Sequence, residues 1–159
     1  MILVLLGTFV TPFERPLIEI EKLCEAGTIA EEVIVQSGHT IMTSQYMVMR
    51  PFIDPKELTE LCREARIVIS HAGAASLIGA IQLQKKVIAI ARLSKYGEHV
   101  DDHQLEILEK FATLNYFLPW RENVALDSLL NEVDDFTPAA FVSNKPRIMN
   151  YLADYIDSL

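Results

Sequence analysis

The chain has 159 residues, half of them hydrophobic, enough to build one sizeable core in a single domain spanning 1–159. Its 22 acidic residues against 14 basic ones give a formal net charge of −8. With no Lys/Arg block in the chain, this balance argues against a nucleic-acid partner.

The opening MILVLLGTFV lacks a basic flank and breaks at Gly7, too early for a signal peptide or a membrane span, so it reads as a first strand. A helical pattern over 13–26 follows, then the strand EEVIVQ and a short strand YMVM. Asp54-Pro55 sets a cap before a proline at the first helical position, and Glu57 sits three residues after the cap as in a capping box. A helix over 54–65 is predicted. RIVIS, a helix over 73–84, KVIAIA, a helix over 99–114 and NYFL continue the alternation. After Pro119-Trp120 the text is acidic and less periodic. Ile148, Tyr151, Leu152 and Tyr155 then recur at helical spacing, which predicts an amphipathic helix near 145–158. Strands that are continuous Val/Ile/Leu runs are expected where helices cover both sheet faces. The predicted fold is α/β, an open, doubly wound, mostly parallel sheet of Rossmann type. Cys24 and Cys62 lie in helical patterns without CxxC spacing and read as buried, reduced thiols.

In such a sheet, ligands settle where strands empty into helix N-termini. VISHAGAASLIGA, residues 68–80, does this with almost no side chains. Gly73, Ala74 and Ala75 would leave first-turn amides open to phosphate oxygens, with Ser76 adding a hydroxyl and His71 a ring nitrogen. Close packing of the helix on the sheet is the alternative explanation. A second loop, ARLSKYGEHVDDHQ (91–104), gathers Arg92, Lys95, Glu98, His99, Asp101, Asp102, His103 and Gln104, the carboxylates and amides that sugar hydroxyls require. Helix capping by Asp101 or Asp102 would explain its acids equally well. On a helix, His99 and His103 would share one face as metal ligands could, but no zinc signature accompanies them. Gly7 and Thr8 end the first strand, and VQSGHT ends the next.

GTFVTPF, VQSGHT, SHAGAAS and RLSKYGEHVDDHQLE, in that order over residues 1–118, resemble the C-terminal, donor-binding domain of two-domain (GT-B) nucleotide-sugar glycosyltransferases. The resemblance is greatest to stand-alone bacterial subunits of exopolysaccharide or capsule synthesis. It extends to the soluble half of the split eukaryotic N-acetylglucosaminyltransferase of N-glycan assembly. It implies a UDP-sugar donor, inverting transfer of a hexose to a lipid-linked saccharide, and no metal or cofactor. It also implies a membrane-anchored partner subunit carrying the acceptor domain, and hence a cytoplasmic location at the inner membrane face.

By the same resemblance, Gly73, Ala74, Ala75 and Ser76 would hold the diphosphate with His71 beside them, and Gly7 and Thr8 would line the cleft. Asp102, His103 and Gln104 would face the sugar. The general base would be His39, Glu98, His99 or a group of the partner. The pattern departs at Ala75, where the superfamily often has Gly, and at Gly79, where it has a ribose-binding Glu. Ribose recognition is thereby left to Glu98 or the partner. The alternatives are a nucleotide-sugar-binding subunit without catalytic groups and an epimerase-like enzyme.

Overall fold

The computed structural model describes residues 1–158. Six parallel strands run β1 (Ile2–Leu5), β2 (Val33–Gln36), β3 (Met47–Arg50), β4 (Ile67–His71), β5 (Lys86–Ile90) and β6 (Leu118–Pro119), ordered β3-β2-β1-β4-β5-β6. This is the open Rossmann-like sheet expected from the apolar runs. The chain winds outward from β1 to β3, then crosses back to lay β4 beside β1, so Leu5 pairs with Ser70 at the point where the strand order reverses.

Period-two alternation along β1 explains why its run is apolar throughout. Ile2, Val4 and Leu6 join the core on one face, and Leu3 and Leu5 join the core on the other. Helices α1 (Arg15–Glu25) and α5 (Leu126–Asp135) cover the first face through Leu17, Ile20, Leu126, Leu129, Leu130 and Val133. The second is covered by α2 (Pro55–Glu64), α3 (Ala74–Gln82) and α4 (His103–Thr113), through Cys62, Leu77, Ala80, Ile81 and Leu108. Each of the Leu, Ile and Val side chains among these contributes about 1.5–3 kcal/mol when fully buried.

Three local expectations change. Leu126, Leu129, Leu130 and Val133 fall at i, i+3, i+4 and i+7, and the segment that reads as acidic and aperiodic is the buried helix α5. At α2, Asp54 caps as expected, its Oδ1 accepting from the amides of Lys56 at 2.9 Å and Glu57 at 3.4 Å. Glu57 makes no return bond, because both its oxygens accept from Arg50, at 2.6 and 2.9 Å. The helix expected over 99–114 starts only at His103, after a 3-10 turn over Ser94–Tyr96 and a left-handed Gly97. His99 therefore lies off the helix, and the shared face with His103 does not exist.

A last helix, α6 (Lys145–Asp157), buries none of its side chains: Ile148, Met149, Leu152, Tyr155 and Ile156 are all 45–65% exposed. No helix among the described residues is long and apolar enough to cross a membrane.

Candidate functional site

The carboxyl ends of β1 and β4 meet where the strand order reverses, and their loops pack together. Gly7 has φ +78°, a conformation open to glycine, and a Cβ built on it would lie 2.6 Å from His71 Nε2. A Cβ on Gly73 would lie 2.2 Å from the same nitrogen. The imidazole is thus held between two glycines, and the bare turn in SHAGAAS exists first of all to admit it. The next loop is equally close: a Cβ on Gly38 would lie 2.2 Å from the carbonyl oxygen of Gly7.

Beyond Gly73, α3 begins with open donors. Among the described residues, the backbone N–H groups of Gly73, Ala74, Ala75 and Ser76 have no acceptor, while Leu77 N bonds to the Gly73 carbonyl at 3.1 Å. Free first-turn amides and the positive end of the helix dipole form an anion cradle. Ala74 and Ala75 are exposed, Gly73 and Ser76 half-buried. The face of α3 carrying Ala75, Ser76 and Gly79 borders a groove of about 300 Å³, walled across by Leu58, Thr59 and Cys62 of α2.

Three histidines surround the Gly7–Phe9 loop. His71 Nδ1 lies 3.2 Å from the Leu5 carbonyl. A carbonyl only accepts, so Nδ1 carries the proton and Nε2 presents a lone pair between the glycines. Burial, reinforced by the charge of Arg92 and by His99, lowers the His71 pKa to about 4 although the bond to Leu5 opposes this. The ring is neutral at pH 7. His39 is exposed, with Nδ1 3.3 Å from the Phe9 carbonyl and its ring edge-on to Phe52 at 5.5 Å. His99 stacks on the Phe9 ring at 4.5 Å, and its Nδ1 lies 3.0 Å from Asp101 Oδ1. Phe9, which sequence reasoning missed, links His39 and His99; an aromatic within a polar strand-to-helix turn was the available signal.

Glu98 is not a base in a cleft. It is 5% exposed, its carboxylate accepts from Arg15 Nε at 3.0 Å, Arg15 Nη2 at 2.8 Å and the Leu93 amide at 2.9 Å. With these lone pairs engaged and the group buried, it has no route to an acceptor hydroxyl or a ribose. Neither candidate role read for it from the sequence, general base or ribose contact, fits this setting.

The remaining loop residues divide. Gln104 is buried, and its Oε1 accepts from the Arg92 amide at 3.1 Å, leaving the side chain only its NH2 donor. Asp102 is exposed; its Oδ1 accepts from the Ser94 amide at 2.8 Å, and this bond holds its carboxyl below the usual range. Asp102 holds the N-cap position of α4 without capping it through its side chain, and the Asp101 carboxylate accepts from the His103 amide at 3.1 Å. His103 is exposed and lies 3.4 Å from Glu106 of its own helix. Thr8 is exposed on the first loop. Gly7, Thr8, His39, His71, His99 and the head of α3 are thus grouped around one sheet edge, with Asp102 and His103 at the head of α4.

The UDP-N-acetylglucosamine transferase subunit ALG13 of Candida albicans is 31% identical over 84 residues, 53% of this chain and 27% of its own length. The chain thus spans about a quarter of the length of the curated relatives it matches. The NMR solution structure of ALG13 has a TM-score of 0.55 at 18% identity, covering 95% of this chain and 94% of that one. The glycotransferase of kitacinnamycin has 0.59 at 12% identity, covering 83% and 34%. At these identities the likeness concerns the fold alone, and that fold is the open sheet of GT-B glycosyltransferases. The model of the glycosyltransferase family 28 C-terminal domain matches residues 10–148, most of the chain, which therefore belongs to that family.

Proposed function

We propose that the chain is the donor-binding half of a UDP-sugar-dependent, inverting glycosyltransferase, working without metal or cofactor. One observation carries this reading: the unpartnered amides of Gly73, Ala74, Ala75 and Ser76 open at the sheet's switch point, beside a neutral His71. Fixed backbone donors at a helix N-terminus suit a diphosphate and would stabilise the charge developing on departing UDP. The nucleoside would lie along the groove between α2 and α3, which shares Ala75 and Ser76 with the cradle. Asp102, His103 and the NH2 of Gln104 would meet the sugar.

The reaction would be attack of an acceptor hydroxyl on the anomeric carbon from the face opposite UDP. His39 and His99, or a group of the partner, would take the proton. The relatives named as UDP-N-acetylglucosamine transferase subunits make UDP-N-acetylglucosamine the first donor to test. The acceptor would be a lipid-linked saccharide, in exopolysaccharide or capsule synthesis. The acceptor domain would come from a membrane-anchored partner holding this chain at the cytoplasmic face. The unburied apolar side of α6 is the docking element.

Calorimetry with UDP tests the cradle: binding that is lost on Ser76→Pro supports it, and UDP bound equally by both proteins refutes it. Pull-down of a co-expressed membrane subunit with and without residues 144–159 tests docking, and unchanged recovery ends that part. Transfer to a lipid-linked acceptor by the assembled pair separates a catalytic subunit from one that only binds nucleotide sugar.

A further inference from the structure

Arg92 is 0% exposed, the largest fully buried side chain of the protein. It follows the end of β5 after one intervening residue, Ala91, and its guanidinium bonds only neutral oxygens. Nη1 donates to the carbonyls of Thr11 at 2.8 Å and Glu98 at 3.0 Å, and Nη2 donates to the carbonyl of Leu6 at 2.9 Å. Among the described residues its Nε has no acceptor at all. The group lies 4.8 Å from the ring centre of Phe13 and 5.9 Å from that of Phe9. The nearest carboxylate, Glu98, is bonded to Arg15, which also donates to the Ala91 carbonyl at 2.8 Å.

The Glu98 carboxylate therefore serves Arg15, and the Arg92 charge is left without a bonded carboxylate in a chain whose net charge is −8. Burying a cation against carbonyls alone is costly, and an apolar residue of similar volume would avoid that cost. The three carbonyls show what the arrangement achieves. Leu6 and Thr11 bracket the Gly7–Phe9 loop, and Glu98 opens the segment leading to His99 and Gln104, so one side chain ties both edges of the site.

We propose that Arg92 is a positioning residue of the donor site, clamping the Leu6–Thr11 loop to the Glu98–Gln104 segment and supplying a buried positive charge for an anionic donor such as a nucleoside diphosphate. The proposal rests on the donor-binding reading above. His71, which packs on Gly7, reports the charge: Arg92 and His99 are the groups that disfavour its protonation electrostatically, beside burial.

The test uses the full chain, with UDP affinity by calorimetry and the His71 titration by NMR. Arg92→Met, which keeps the stem and removes the charge, is expected to weaken UDP binding by about tenfold or more and to raise the pH at which His71 titrates. The titration shows that the charge at position 92 reaches the site, and a merely structural role would leave UDP affinity in the folded variant at the parental value. Arg92→Lys keeps the charge without bonding all three carbonyls, so His71 should titrate as in the parent while UDP affinity falls between the two. If Arg92→Met does not fold, Arg92→Lys decides alone: weaker UDP binding with shifted amide resonances over Gly7–Thr11 supports the clamp, and parental affinity overturns it. A folded Arg92→Met that binds UDP as the parent does, with His71 unmoved, overturns the proposal. If the parent itself fails to bind UDP, the donor reading falls first and takes this one with it.

Discussion

The imidazole of His71 fills the space that a side chain at Gly73 would need: a Cβ there would lie 2.2 Å from Nε2, with Gly7 closing the other side of the ring. Gly73 has an ordinary φ of −79°, so its constraint is steric and not conformational. Gly73→Ala should therefore destabilise the protein by about 2 kcal/mol, and much of that should vanish in a His71→Ala background. Gly7→Ala, strained at φ +78° as well as crowded, should be only partly rescued. Denaturant melts of the four proteins in each cycle measure the coupling; additive losses would show that His71 does not occupy both spaces.

Stability should depend on pH through the same ring. His71 titrates near 4 in the folded chain against an ordinary 6.5. Its neutral form is the one the fold accommodates, so its contribution is fully present above about 6.5 and is lost as pH falls toward 4. The loss should approach about 3 kcal/mol. In His71→Asn the slope of unfolding free energy against pH over that interval should flatten, as urea titrations at stepped pH would show. Bound diphosphate should work the other way, raising the His71 pKa, so UDP binding should take up protons near pH 5 in calorimetry across buffers.

Glu98→Gln tests whether that carboxylate is structural. It leaves Arg15 without its charged partner in a half-buried setting, and a loss of about 1–3 kcal/mol follows. Transfer by the assembled enzyme should slow without change in the shape of its pH–rate profile, because no titrating base is removed. A vanished acidic limb, the one a general base produces, would return Glu98 to catalysis.

Gly79 is exposed in the middle of α3, and a Cβ built there meets nothing within 4 Å. Gly79→Ala should stabilise the chain by about 0.5–1 kcal/mol, the helix-propensity difference, and raise its Tm. A fall in Tm would show that the groove beside α2 needs the glycine.

The two helices of the C-terminal region should respond oppositely. Leu129 of α5 is 5% exposed and Ile148 of α6 is 56% exposed. Leu129→Ala should cost about 2–4 kcal/mol, whereas Ile148→Ala should stay within about 0.5 kcal/mol. Equal effects in thermal melts would mean that α6 packs on the body of the protein.

Much of this was legible from residue order. Uninterrupted apolar runs imply a parallel sheet covered on both faces, and the register of β1 with β2 and β4 agrees because Ile2–Leu5 must feed two cores at once. The small residues at 73–76 and the polar loop at 91–104 mark the sheet edge for the same local reason: each follows a strand and precedes a helix. Helix α5 was equally readable in the spacing of Leu126, Leu129, Leu130 and Val133, but its acidic surroundings masked it.

Partnership lay beyond the sequence. A row of letters cannot say that Gly73 makes room for His71, that Glu98 turns inward to Arg15, or that Arg92 reaches the carbonyls of Leu6 and Thr11, more than 80 positions earlier. Local pattern determines which residues form strand or helix, since those choices depend on near neighbours and on burial. Which polar group is free for chemistry depends on long-range contacts, and only folding sets those.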